Sequence, residues 1–246
     1  MKTLVVDVGA TAIKWQYFEG AISLGAVRRR RTPSPCHPDA LVDIIATRAI
    51  RERVSRVAVG FPGDVLYGVI TDPANLARVG GPGTLIDKTV AQSWNQFDLA
   101  ASLSRLCDAP VMVVNDAVAT AAGCDIAVGR HLVITLGTGL GVALAVDGAL
   151  VPIDDVGGTQ YFDVTFDEAA GEAARAADQS KWIRDVLAIV IQLREIFDVG
   201  VIHVAGGNAK RLSPREFAWL NVPVIIERSS PALEGLRRLS AATATP

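Results

Sequence analysis

Residues 6–22, VDVGATAIKWQYFEGAI, and residues 134–150, ITLGTGLGVALAVDGAL, follow one plan at an offset of 128 positions. Gly9 falls on Gly137, Glu19 on Asp147, Gly20 on Gly148 and Ile22 on Leu150. Each copy reads as a strand, a glycine-containing turn, a second strand, an acidic-Gly hairpin and a third strand, the acidic-Gly pair being a strong two-residue hairpin signal. The chain repeats a three-strand meander, and each copy opens about half of the 246 residues. Two similarly built domains are the economical reading, residues 1–117 and 118–246. Half of the residues are hydrophobic, ample for a sizeable core.

Helical and strand patterns alternate after each meander. Residues 38–54 carry apolar residues at helical spacing with Pro38 in the first turn, and they feed the strand RVAVGF. Asp98 reads as the N-cap of a helix over residues 98–107, which feeds the buried strand PVMVVND. Later segments predict one helix around FDEAAGEAARAA, another in KWIRDVLAIVIQLREIF, strands at GVIHVAGGN and VPVIIE, and a last helix at about residues 231–242, free to pack back on the first domain. Helices alternating with short apolar strands imply α/β units with parallel pairing. Residues 71–96 have poor periodicity and are rich in Gly, Asn and Asp, which predicts a functional loop and the first candidate for substrate contact.

The net charge of −2 gives no reason to expect a nucleic-acid or membrane partner. The basic run Arg28–Arg31 reads as a solvated strand end. Cys36, Cys107 and Cys124 are odd in number and lack metal-type spacing, which predicts reduced thiols in a cytoplasmic protein. About five apolar residues precede Asp7, too few for a signal peptide. Residues 132–146 are uncharged but hold three glycines and fall short of the roughly 20 needed to span a bilayer. Asp43, Asp64 and the three histidines have no visible constellation and read as structural or surface groups.

Two glycine corners, Gly9-Ala10-Thr11 and the stretch from Gly137 through Thr138, Gly139 and Leu140 to Gly141, allow backbone N–H groups to approach a chain of phosphates. Asp7, before the first corner, is either a turn-former or a working group suited to Mg²⁺ held through water. Lys14 is suited to neutralise phosphate charge or is simply solvated. Asn115 and Asp116 end an apolar strand, where they are either site residues at the carboxyl edge of a sheet or caps of the following helix.

DVGATAIK, GFPGDV, Asn75-Leu76, VVNDA, TLGTGLGVALAVDGALVP and VAGGN occur in the order and spacing of the ROK family of sugar kinases. Over most of its length the chain resembles that family, and in pattern most closely its actinobacterial-type polyphosphate/ATP glucokinases. The resemblance implies an actin-like ATPase fold, two ribonuclease-H-like domains that flank a central cleft and close on a phosphoryl donor and Mg²⁺. It implies Asp7 and Gly9 to Thr11 as the first phosphate motif, Gly137 to Gly141 as the second, and Gly206, Gly207 and Asn208 as the adenosine-side motif. It also implies Asp116 as the catalytic base, with Asn75 and Asn115 bonding sugar hydroxyls.

Two departures stand out. Where the family has Glu-x-Gly-His, with Glu and His contacting sugar, this chain reads DVGG, so Asp155 replaces the glutamate and Gly158 the histidine. The cysteine-rich zinc motif that follows in many members is missing, so no zinc is expected. The implied activity is phosphoryl transfer from ATP or polyphosphate to a hexose or hexose derivative in the cytoplasm. Homodimers are common in the family. A catalytically weakened homologue that binds sugar as a regulator is the rival reading.

Overall fold

The computed structural model describes residues 1–153 and 155–242, which fall into two compact units. The first comprises Met1–Ala119 together with the stretch from Ala232 onward, and the second comprises Thr120–Pro231. Among the described residues no helix is long and apolar enough to cross a membrane.

The first unit opens on β1 (Lys2–Val8), β2 (Ala12–Glu19) and β3 (Ile22–Ser23), the expected meander. The four arginines form a strand of their own, β4 (Arg28–Arg31), paired to β2 and exposed along its length. Next come α1 (Pro38–Arg51), β5 (Arg56–Phe61), β6 (Asp64–Leu66), β7 (Val69–Asp72), α2 (Lys88–Trp94), β8 (Phe97–Asp98), α3 (Leu99–Cys107), β9 (Val111–Asn115) and the start of α4 (Asp116–Gly123). The main sheet runs β3-β2-β1-β5-β9, with β1 antiparallel to β2 and parallel to β5. Alternation along β1 puts Leu4, Val6 and Val8 in a core with Leu41, Ile45, Leu99 and Leu103. On the other face Val5 packs with Ala58, Ala119, Leu233 and Leu236.

The second unit repeats this topology. β10 (Arg130–Leu136), β11 (Leu140–Val146) and β12 (Ala149–Val151) form the second meander, and its acidic-Gly turn has positive φ at both Asp147 and Gly148. β13 (Gln160–Tyr161), β14 (Val164–Thr165), α5 (Phe166–Ala170), α6 (Glu172–Ala177), α7 (Gln179–Phe197), β15 (Val201–Ala205) and β16 (Val224–Ile226) follow. The sheet order β12-β11-β10-β15-β16 matches the first sheet position for position. Leu132, Ile134 and Leu136 face a core with Trp182, Val186, Ile189 and Leu193 of α7. The last helix, α8 (Ala232–Ala242), belongs to the first unit and packs on β1 and β5.

Two local expectations change. Residues 71–96 are not wholly irregular: Asp87 accepts from the N–H groups of Thr89 and Val90 and starts α2, whose Val90 and Trp94 are buried one turn apart. The small sheet β6-β7-β8 borders the same region. The single helix expected around residues 166–177 is broken at Gly171, whose backbone is extended and after which Glu172 N–H donates to the Thr138 carbonyl; a Cβ at Gly171 would lie 2.5 Å from that oxygen.

Candidate functional site

In the first unit β1, β5 and β9 are parallel neighbours, and their register aligns Asp7 with Gly60 and Gly60 with Val114. Gly60 lies beneath α4, where a Cβ would make ordinary van der Waals contact with Ala119 Cβ and Asp116 Cα, at 3.5 and 3.8 Å. At the carboxyl end of the sheet Asp7 and Asp116 are near enough for the charge of Asp7 to act on the Asp116 carboxyl. Asp7 lies within β1, one residue before its end, and is buried. Across the hairpin Lys14 Nζ donates to Asp7 Oδ2 at 2.9 Å. Burial pushes the Asp116 carboxyl up from about 3.8 to about 7, and the negative charge of Asp7 adds to the rise. Hydrogen bonding from the Ala117 N–H and the charge of Lys14 oppose it.

The cap of α4 is Asn115. Its Oδ1 accepts from Ala117 N–H at 2.8 Å, while its Nδ2 donates to the Gly63 carbonyl at 3.1 Å. Asp116 is therefore the first residue inside the helix, and its carboxyl shares the Ala117 N–H with the cap. Asn75 sits in a 3-10 turn, Ala74–Ala77, with Oδ1 accepting from Arg78 Nε at 2.7 Å.

The first glycine corner is tied from outside by Thr32, a buried residue that the sequence reading passes over. Its hydroxyl donates to Gly9 O at 2.6 Å and its N–H to Thr11 O. Gly9 N–H closes the turn on Ala12 O, and among the described residues the N–H groups of Ala10 and Thr11 take no part in the turn's own bonds. A hollow of about 650 Å³ beside β9, walled by Val65, Tyr67, Val111 and Val113, is mainly apolar and contains neither carboxylate.

In the second unit the longer corner is pinned at both ends. Gly137 N–H donates to Gly139 O, and Gly137 O accepts from Asn208 Nδ2 at 3.0 Å. Asn208 N–H donates to Leu136 O, so the segment Gly206, Gly207 and Asn208 is joined to the corner by two bonds. Gly206 has φ +94° and lies against Leu136, whose carbonyl a Cβ would meet at 2.3 Å, so only glycine fits. Asp167, which the sequence reading misses, accepts from Leu140 N–H at 2.7 Å and fills the space beside Gly139. The N–H groups of Thr138 and Gly139 are outside the corner's own bonds among the described residues. Hydrogen bonds from Arg175, with a smaller contribution from Asn208, hold the Glu172 carboxyl below its usual range. Asp155 is exposed and turns back to accept from Gly157 N–H, while Gly158 faces open space.

One constellation is new. His131 on β10 and His203 on β15 are buried beside each other, with Cys124 and Glu227 adjoining. Cys124 and His131 are separated in sequence from His203 and Glu227, and the pairing of β10 with β15 brings the two histidines side by side.

Residues 3–152 match the sequence model of the ROK family. A comparison with curated proteins by sequence gives no match. The inorganic polyphosphate/ATP-glucomannokinase of Arthrobacter sp. strain KM is 26% identical with a TM-score of 0.81, over 98% of this chain and 99% of that one. A ROK family glucokinase from Streptomyces griseus, solved with glucose and AMPPNP, is 19% identical with a TM-score of 0.75, over 98% of this chain and all of that one. The repeated sheet order and these full-length likenesses make the fold that of the actin-like ATPases, with two ribonuclease-H-like domains. The match to the family model spans more than half of the sequence, and the chain belongs to the ROK family.

Proposed function

We propose that this chain is a carbohydrate kinase that moves a phosphoryl group from ATP or polyphosphate to a hydroxyl of a hexose or hexose derivative. The observation that carries the reading is Asp116, a carboxyl tuned to about 7 at the carboxyl end of a parallel strand, beside a second carboxylate and a lysine. A general base works best with a pKa near the operating pH, and Asp116 accepts the hydroxyl proton as the sugar oxygen attacks. Phosphoryl transfer asks for little else beyond positioning and charge stabilisation.

The N–H groups of Ala10 and Thr11 in the first unit, and of Thr138 and Gly139 in the second, receive phosphate oxygens. Gly206, Gly207 and Asn208 serve the adenosine side when ATP is the donor. Asn75, Asn115 and Asp155 contact sugar hydroxyls; Asn115 keeps one amide hydrogen beyond the bond to Gly63. The oxygen donors at Asp7 and Asp116 fit a hard cation, because the repulsion between them is what such an ion relieves. Asp7 would hold Mg²⁺ through water, and the ion would supply neutralisation of donor charge. Lys14, already paired to Asp7, limits the negative charge there.

The test is a panel of hexoses and N-acyl hexosamines incubated with Mg²⁺ and either ATP or polyphosphate, with sugar phosphates detected by mass. At least one sugar is expected to gain a phosphoryl group. Sugar binding with no product from either donor would instead identify a regulator.

A further inference from the structure

The alternation that sends Leu132, Ile134 and Leu136 into the core sends His131 and Val133 to the opposite face of the second sheet. The repeat shows what that face ordinarily holds. Val5 pairs with Ala58 in the first unit, and its counterpart Val133 pairs with His203 in the second. A buried imidazole stands where the first unit has a methyl group.

The hydrogen bonds around it can be counted by donor and acceptor. Val128 O only accepts, so His131 Nε2, 2.7 Å away, carries a hydrogen. Neutral His131 then presents a lone pair at Nδ1, and His203 Nε2, at 3.1 Å, must donate to it. That leaves His203 Nδ1 with a lone pair facing Glu227 Oε1 at 3.0 Å. Two lone pairs at that distance require something positive between them, either a proton or a metal ion. Cys124 adds a third donor: its Sγ, a His203 ring nitrogen and a Glu227 carboxylate oxygen all lie within 4.8 Å of one another.

We propose that Cys124, His203 and Glu227 form a site for a divalent zinc-class cation, with His131 as the residue that orients the His203 ring. One thiolate, one carboxylate and one neutral imidazole balance a charge of +2, and sulfur, nitrogen and oxygen donors together suit Zn²⁺ and Co²⁺. On binding, the Cys124 thiol gives up its bond to Thr120 O, 3.4 Å away, and two protons pass to solvent, one from the thiol and one from between His203 Nδ1 and Glu227 Oε1, as the bonds from sulfur, nitrogen and oxygen to the metal form. Glu227 is 20% exposed, which leaves room for water in a fourth position. The ligands come from the residue after α4, from β15 and from the residue after β16, so the ion ties three segments of the second unit together. The expectation of no zinc rests on the missing cysteine-rich segment, and this site is built from other residues.

The test uses the full chain stripped with a chelator and titrated with Co²⁺ alone, then with Zn²⁺ as competitor. One equivalent of Co²⁺ is expected to bind with a thiolate charge-transfer band that Zn²⁺ abolishes. The band should vanish in Cys124→Ser and persist in Cys107→Ser. Loss of a second-layer partner usually weakens a site by about 10- to 100-fold, so His131→Gln should bind that much more weakly with the band retained. Glu227→Gln, a near-isosteric change, should weaken binding at least as much. Failure of the folded parent to bind either metal, or a band that survives in Cys124→Ser, would overturn the proposal.

Discussion

Burial, with the negative charge of Asp7 adding to it and the Lys14 ammonium opposing it, sets the acid–base behaviour of Asp116. The folded Asp116 carboxyl is held at about 7, above its ordinary 3.8. Its protonated form is therefore favoured by folding. The stabilisation it gives is full below pH about 3.8 and is lost as the pH rises to about 7. Asp116→Asn removes this dependence, so the variant's melting temperature should gain on the parent's between pH 4 and pH 8. A constant difference over that window would show that burial does not strain the carboxylate. Activity runs the other way: kcat/KM of the parent should rise with pH through about 7, because only the ionised base accepts a proton.

Strands and turns supply the rest of the site through backbone fit. Gly139 lies so close to Asp167 that a Cβ would come within 1.8 Å of its Oδ1. Gly139→Ala must displace the carboxylate that holds Leu140 N–H, and misplacement of a positioning loop by about 1 Å costs on the order of 10²-fold. The loss should appear in kcat/KM for the donor, measured with sugar saturating, while sugar affinity stays within a few-fold. Normal donor kinetics in that variant would mean that the corner does not position the donor. The glycine corners themselves are legible in the sequence, because the repeat places both at the same point of a meander. Asp167 and Thr32 are not, since each reaches its corner from a distant element. The break at Gly171 is hidden by the strong helical composition on either side, and the contact with Thr138 that accompanies it is tertiary. Strands of two to four residues such as β6 and β8 carry too little alternation to be read.

The repeated meander states the architecture of the whole chain, down to a shared sheet order. What it leaves out is the route of the last helix, since amphipathicity shows that α8 has an apolar face but not which sheet covers it. Leu236 on α8 is fully buried and comes within 3.5 Å of where a Gly60 Cβ would be, so α8 covers one face of the sheet that carries Asp7. Leu236→Ala should cost about 2–5 kcal/mol, as other buried leucine truncations do. With Trp182 and Trp219 changed to Phe, Trp15 and Trp94 report on the first unit alone, and urea unfolding followed through them should show the loss. An unchanged midpoint would mean that α8 contributes nothing to that unit.

The most direct measurement is the steady-state rate of Asp116→Asn on whichever sugar and donor the panel identifies, at pH 8. Asn115 supplies the helix cap, so the substitution leaves that bond in place and keeps nearly the same shape. The variant should lose about 10²- to 10⁴-fold in kcat with KM for the sugar changed only a few-fold, because the lost interaction belongs to the transition state. Turnover within a few-fold of the parent would contradict the assignment of Asp116 as the base.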